Sequence, residues 1–443
     1  MKIMKFGGTS VGQPQRLKHI AQLVTSQQQP VIVVLSAFSG TTNALVHINE
    51  ALQAGNKPQA TLVIQELKLH YESYITELFT TAAGLQAATH IIKHHFDFLH
   101  IILQINYSEA LSKDILAQGE LLSTHLFAAY LTQVQVPHQL LDALALVTTN
   151  VNDEPVVEDI KAKLLPILQA AEHTHNHNAL YITQGYICRN AKGEVDNLKR
   201  GGSDYTASLI AAAVQASVCE IWTDIDGMHN NDPRVVTHTR AIQQLSFDEA
   251  AELAYFGAKI LHPASIWPAQ SYGVPVKLLN TMQPTAIGTT ITNQIPAIGV
   301  KAIAAKDNII AINIKSSRML LAYGFLRKIF EVFEQYRTPI DMITTSEVAV
   351  SLTIEHTVHV HAIVAQLTSL GSIEVEHNYT IVAVVGHLLT QDEDLLASLF
   401  VSVKHIPVRM VSYGGSKHNV SLLIPTSYKA QVLQLFNQHL FGL

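Results

Sequence analysis

The sequence predicts an α/β protein: a large N-terminal region on a mainly parallel sheet with helices on both faces, then a tandem of small α+β units. Three observations predict it. Short, fully apolar runs such as VIVVL (31–35) are each followed by a loop of Gly, Ser and Thr and then by a segment of helical period, the pattern of buried parallel strands with crossover helices. After residue 308 the rhythm changes to strand–helix–strand–strand–helix–strand, and then nearly repeats itself. Finally, 443 residues with 48% hydrophobic and 14% charged side chains are enough for two or three cores and spare in surface charge.

Taken in order, KIMKF reads as a short strand and Gly7–Ser10 as a loop. PQRLKHIAQLV, from Pro14, has helical spacing with proline in a tolerated first-turn position. VIVVL is the second strand, SAFSGTTN (36–43) a second small-residue loop, and residues 47–118 are almost wholly helical. ALYITQGYI and SVCEIWTDI read as strands, SFDEAAELAYFGAKILHP as a helix closed by His262-Pro263, and VPVKLLN as the last strand of this region. In the C-terminal third, IIAINI, GFLRKIFEVFEQY, IDMITT, VAVSLTI, HVHAIVAQL and SIEVE make one complete βαββαβ unit. TIVAVVG, LLASLFVSV, VRMVSY, NVSLLI and KAQVLQLFN make a second that lacks one strand. The missing strand is assigned to residues 298–305, which precede the first copy, so one unit is inserted into the other. Such units are expected to pair side by side, since each alone leaves a sheet edge open.

The totals exclude several classes. A net charge of −6 without a basic block argues against a nucleic-acid footprint. The opening MKIMKFGGTSVG leaves no room for a signal-peptide core, and no apolar run reaches the ~18 residues of a membrane span. Two distant cysteines, Cys188 and Cys219, match no ligand spacing and suit a reducing compartment. A cytoplasmic protein is expected.

Several stretches carry chemistry. Lys5-Phe6-Gly7-Gly8 follows a strand, so backbone N–H groups and one ammonium are available to an anion; an ordinary tight turn is the plain alternative. Its spacing matches neither a Walker loop nor the GxGxxG of dinucleotide folds. In SAFSGTTN the hydroxyls could bind an anion or simply cap a helix through Thr41 or Thr42. QGELLSTHL places Glu120 in a first helical turn, where it either complements the helix dipole or meets a substrate ammonium. RGGSD sets Arg200 and Asp204 at a helix start; an arginine is unfavourable there unless an anion offsets it. WTDIDGMHNNDPRVV offers Thr223, Asp224, His229 and Arg234 around a loop, and Lys259 lies towards a helix C-terminus, a place that also suits a lysine electrostatically. HTHNHN (173–178) has no acidic or cysteine partner nearby and reads as a solvated turn rather than a metal site.

The order of these blocks is itself informative. KFGGTSV, LSAFSGTTN, QGELLST, RGGSDYTA, IWTDIDGMHNNDPRVV, FGAKILHP, IDMITTSEV and VRMVSYGGSKHNV together resemble aspartokinase over nearly the full length, of the monofunctional, lysine-sensitive kind. The resemblance implies an amino-acid kinase fold over 1–290, followed by two ferredoxin-like ACT domains, 306–376 and 377–443, the latter taking the strand 298–305. It implies transfer of the ATP γ-phosphoryl group to the β-carboxylate of aspartate, with Mg²⁺ carried on the nucleotide. Arg200 would then take the α-carboxylate, Glu120 the ammonium, with Thr42, Gly201 and Asp204 assisting. Lys5, Phe6, Gly7 and Gly8 would hold the phosphates, with Thr223, Asp224, His229, Arg234 and Lys259 on the nucleotide. Lys5, Lys259 and Asp204 would be the catalytic groups. The resemblance also implies a homodimer through the ACT domains and a lysine effector at Met319, Gly324, Phe325, Leu326, Asp341, Ser346 and Glu347.

The chain departs from the family pattern at His229, usually tyrosine, at Lys199, often glycine, and at Ala322, where lysine-sensitive relatives carry serine. Two rivals remain: a related kinase for acetylglutamate, glutamate or a nucleoside monophosphate, and an inactive amino-acid sensor. The tandem tail argues against the first; the presence of Lys5, Arg200 and Lys259 argues against the second.

Overall fold

The computed structural model describes residues 1–172, 179–198, 201–257, 261–294, 297–316 and 323–443. The described residues divide into two compact units, one from 1–228, 243–247 and 261–294, the other from 229–242, 248–260 and 295–443.

The first unit opens with β1 (Lys2–Phe6), the one-turn α1 (Gly8–Val11), α2 (Pro14–Thr25) and β2 (Val31–Leu35). Then come four helices, α3 (Thr41–Gln53), α4 (Lys57–Leu78), α5 (Ala82–Ile102) and α6 (Glu109–Gln133), which account for the long helical stretch of the sequence. Next are β3 (Gln139–Leu140), α7 (Ala143–Leu146), α8 (Val157–Glu172), β4 (Leu180–Gln184) and a hairpin of β5 (Ile187–Arg189) and β6 (Val195–Asn197). α9 (Gly202–Ala213), β7 (Val218–Thr223) and β8 (Gln244–Ser246) follow. α10 (Phe247–Tyr255) belongs from Asp248 onward to the second unit, and α11 (Pro263–Ser271), β9 (Val276–Asn280) and β10 (Thr289–Thr292) complete the first.

Its eight strands run β3-β4-β2-β1-β7-β9-β10-β8, and every pairing except β9 with β10 is parallel. β2 lies on one side of β1 and β7 on the other, so strand order reverses at β1, and ligands are expected beyond the carboxyl ends of these strands. Phe38, in the loop after β2, is buried against Tyr74 and Tyr71 of α4, with centroids 4.4 and 5.5 Å apart, and Tyr71 meets Phe96 of α5. This aromatic cluster anchors the loop to the helical layer.

Three local expectations change. His262-Pro263 opens a helix instead of closing one: α10 stops at Tyr255, and His262 caps α11 by accepting the Ala264 N–H. Proline lacks the N–H that a helix interior requires but that a first turn leaves spare. Neither Thr41 nor Thr42 caps α3; its N-cap is Gly40 at φ 83°, and the buried Thr41 hydroxyl bonds the Tyr71 hydroxyl instead. Glu120 lies in the middle of α6, not in a first turn, so the helix dipole does not account for it.

The second unit carries β11 (Gly299–Lys315), α12 (Phe325–Gln335), β12 (Met342–Thr345), β13 (Ala349–Glu355), α13 (Val360–Leu367), β14 (Ser372–His387), α14 (Leu395–Ser402), β15 (Met410–Ser412), β16 (Asn419–Pro425) and α15 (Lys429–Phe441). They form a six-stranded antiparallel sheet in the order β12-β13-β11-β14-β16-β15. The segments read as IGVKAIAA and IIAINI are one continuous strand, β11, and SIEVE and TIVAVVG are one strand, β14. Each long strand serves both repeats. One core gathers Ile312, Phe325, Ile329 and Leu352; the other gathers Ile303, Val384, Leu399 and Phe436.

Residues 229–242 and 248–257, which the sequence reading placed inside the 1–290 domain, pack with this second unit. Asn231 donates to the Leu433 carbonyl, the Ile303 N–H bonds the Asn230 carbonyl, and Val236 joins the second core. At Gly257 (φ 137°) a Cβ would lie on the Ala305 carbonyl oxygen. These are contacts between residues far apart in sequence, which composition along the chain does not mark. Among the described residues no helix is long and apolar enough to cross a membrane.

Candidate active site

The first unit holds a cleft of about 480 Å³ where β1 and β2 end, lined among others by Gly8, Ser36, Thr42, Glu120, Tyr186 and Ser203. β1 positions Lys5, whose Nζ lies 2.6 Å from Oδ1 of Asp204 in the first turn of α9; both side chains are largely buried. The pair joins two segments that sequence reading had singled out separately. Asp204 is therefore no plain helix cap: its carboxylate holds the ammonium at the end of β1.

The start of α9 depends on glycine. Gly201, the N-cap, has φ 64° and Gly202 φ 39°. A Cβ on Gly201 would stand 2.4 Å from that of Ser265, so no other residue makes this turn at this packing. One residue on, Ser203 accepts a hydrogen bond from Ser36 Oγ at 2.9 Å, which ties the loop after β2 to α9.

Glu120 is the chemically unusual group. Oε1 accepts the Ala37 N–H at 3.3 Å, while Oε2 is buried and has no partner among the described residues. Burial pushes its pKa up to about 8, against the smaller opposing pull of the Ala37 N–H and of Lys5. A carboxylate so placed binds a cation strongly, because the cation supplies the solvation that burial removed. Gly119 makes the placement possible: its Cα lies so close to the loop that a Cβ would be 2.8 Å from that of Ala37. Sequence reasoning gave no role to Gly119, Ser203 and Tyr186, and held Ser36 only as one of the loop hydroxyls of SAFSGTTN. For Tyr186 there was a signal, the glycine inside an apparent strand in ITQGYI.

Residues 1–280 match the model of the amino acid kinase family. Across 99% of both chains the sequence is 33% identical to the lysine-sensitive aspartokinase 3 of Escherichia coli. The chain belongs to the aspartokinase family. Its structure is similar to that of E. coli aspartokinase III in complex with aspartate and ADP (R-state), with a TM-score of 0.83 at 32% identity over the whole of both chains. The complex of that enzyme with lysine and aspartate (T-state) gives 0.82 at the same identity, covering 100% of this chain and 99% of the other. The family assignment made from the motif order stands, as does the fold: an amino-acid kinase region with ACT-type regulatory repeats.

The remaining positions expected from the aspartokinase pattern are less concentrated. Thr223 ends β7 and donates to the exposed Asp224 carboxylate at 3.1 Å. In the second unit, the His229 ring bonds the Thr239 hydroxyl at 2.9 Å, and the exposed Arg234 makes a two-pronged contact with Asp232. Arg200, Lys259, Lys199, Met319, Ala322 and the 173–178 loop lie outside the described residues.

At the expected effector positions, Gly324 is the N-cap of α12 at φ 77°, Phe325 packs in the first repeat's core, and Leu326 is exposed. Asp341 departs from expectation. Its side chain is fully buried, with Oδ1 2.7 Å from Lys306 Nζ and accepting the Tyr255 hydroxyl at 2.7 Å. The Lys306 ammonium also stands 4.6 Å from the centre of the Tyr255 ring. The acid expected to await a cationic ligand already holds one from its own chain, because β11 brings Lys306 against it. Ser346 is likewise engaged, accepting the Ala349 N–H at 3.1 Å in the turn between β12 and β13; Glu347 beside it is exposed.

Proposed function

We propose that the chain is an aspartate kinase, transferring the γ-phosphoryl group of ATP to the β-carboxylate of L-aspartate. The observation that carries this reading is the buried, half-partnered Glu120 carboxylate in the same cleft as the Lys5–Asp204 pair. Glu120 takes the substrate ammonium, with Thr42 beside it on the cleft wall. Gly201, the N-cap of α9, and Arg200, which precedes it in sequence, take the α-carboxylate, the bidentate contact an arginine fork suits.

The attacking group is the substrate's own β-carboxylate, whose reference pKa of ~3.9 leaves it ionised at neutral pH. No general base is required. A new bond forms between a β-carboxylate oxygen and the γ-phosphorus as the bond to the bridging oxygen breaks, and ADP leaves with that electron pair. The chain's work is to bring two anions together. Lys5, held in place by Asp204, supplies positive charge at the end of β1, next to the backbone of Phe6, Gly7 and Gly8. Lys259 is assigned to the nucleotide phosphates, with Thr223, Asp224, His229 and Arg234. Mg²⁺, carried in on the nucleotide, offsets phosphate charge when bound; Asp224, exposed at the end of β7, is an oxygen donor of the class that ion accepts.

The domain boundaries assigned from the sequence, apart from residues 229–242 and 248–257, the homodimer through the ACT repeats, and inhibition by lysine complete the reading. The short strands β12 and β15 are the outer members of the six-stranded sheet. The buried thiols Cys188 and Cys219 fit a reducing, cytoplasmic setting. The test is to trap the acyl phosphate with hydroxylamine. Aspartyl hydroxamate should form with ATP, Mg²⁺ and aspartate; product from acetylglutamate and none from aspartate would overturn the assignment.

A further inference from the structure

Tyr186 is held in a conformation its residue type disfavours, at the wall of the cleft. Its φ is 67°, in the left-handed region where a residue with a side chain is strained. The surroundings leave it no alternative. Its N–H donates to the Thr206 hydroxyl on α9 at 2.9 Å, and its carbonyl accepts the Leu198 N–H at 2.7 Å. The neighbouring Gly185 is in backbone contact with α9, since a Cβ there would lie 2.3 Å from that of Ser203.

This clamped backbone aims a ring, and the ring has a definite neighbour. A Cβ built on Gly202 would stand 3.1 Å from Tyr186 Cδ2, so the ring lies on the backbone of the glycine turn at the start of α9. Tyr186 also lines the cleft together with Glu120 and Ser203. Burial, and after it the charge of Glu120, pushes its phenol up to about 12, so the ring stays neutral. Its hydroxyl has no hydrogen-bond partner among the described residues. No hydrogen bond of its hydroxyl holds the ring there: it packs on one side against the small cluster of Ala117, Ala143 and Ile187 and on the other forms part of the cleft wall. A glycine would fill it without strain.

We infer that Tyr186 is a specificity-determining residue: its ring is a fixed wall that sets the length of the acidic amino acid the cleft accepts, admitting four carbons and rejecting five. This rests on the aspartate kinase reading. A wall built on a clamped, left-handed residue cannot retreat by rotating its backbone, which is what exclusion of one methylene demands. Rejection by shape alone is worth roughly tenfold to a few hundredfold.

The test is kinetic, on the full-length enzyme. Tyr186→Gly relieves the backbone strain but removes the ring's packing against Ala117, Ala143 and Ile187, so a lower melting temperature is expected and the variant is assayed below its own transition. The kcat/KM ratio of L-aspartate to L-glutamate, read as hydroxamate formation, should fall at least tenfold, mainly through better use of glutamate. Tyr186→Phe keeps the ring and should hold the ratio within threefold of wild type. A ratio within threefold of wild type in Tyr186→Gly overturns the inference, as does a loss of discrimination in Tyr186→Phe, which would make the hydroxyl the discriminating group. If wild type yields no aspartyl hydroxamate, the kinase reading itself fails; if it does and the glycine variant discriminates normally, the wall alone fails.

Discussion

Glu120 offers the most demanding test of the site, because its protonation should govern aspartate binding. With a pKa near 8 in the empty cleft, about one molecule in ten carries the carboxylate at pH 7. Only that form pairs with the substrate ammonium, so the apparent affinity is the intrinsic one reduced by the ionised fraction. KM for aspartate should therefore fall about tenfold for each unit of pH between 6 and 7.5 and level off above about 8, while kcat changes less. Glu120→Gln fixes the neutral state with little change of shape. It should raise KM for aspartate by roughly 30-fold or more, the result of removing one member of a buried charge pair worth about 2–5 kcal/mol. It should also flatten the pH dependence. A coupled assay for ADP across pH 6 to 8.5, at saturating ATP, reads both effects. A wild-type KM independent of pH in that range, or a normal KM in the glutamine variant, would refute the assignment of Glu120 to the ammonium.

Three further outcomes follow from particular contacts. Lys5→Ala should mainly lower kcat, since its charge matters most during phosphoryl transfer, whereas Arg200→Ala should mainly raise KM for aspartate; an effect of Arg200→Ala on ATP alone would reverse the roles given to the two glycine loops. Gly119→Val should destabilise by about 1–3 kcal/mol and raise KM for aspartate, because its Cβ meets Ala37 and moves Glu120; wild-type melting and KM would show that the close approach does not matter. The third outcome concerns acid. Gln118 donates to the Asp114 carbonyl, so its oxygen accepts from His95 Nδ1 at 2.7 Å, leaving His95 Nε2 to accept from His125 Nδ1 at 3.0 Å. Burial, chiefly, lowers the His95 pKa from 6.5 to about 4. The unfolded chain then protonates first: stability is complete above 6.5 and declines by about 3 kcal/mol as pH falls to 4. Urea melts at pH 7 and 5 should differ accordingly in wild type and less in His95→Gln; equal pH dependence in both would remove His95 as the cause.

Much of this protein was legible along the chain, and the reason is local. The β1 and β2 strands, the glycine turn before α9 and the doubled ACT rhythm are written in side-chain period and in residues that tolerate left-handed backbone, both properties of neighbours in sequence. The family followed from the order of such blocks. What the tertiary structure alone decided involves residues far apart. Glu120 is a substrate-binding candidate because 83 residues separate it from the Ala37 N–H that it meets in space, and burial there, not its place on α6, sets its charge. The Lys5–Asp204 pair forms where β1 meets the first turn of α9. Asp341 looked like an open acid until β11 supplied Lys306. In each case spacing along the chain specifies the element, whereas the partner and the local dielectric depend on which elements pack together. Sequence period does not encode that distance, and electrostatic energy depends on it directly.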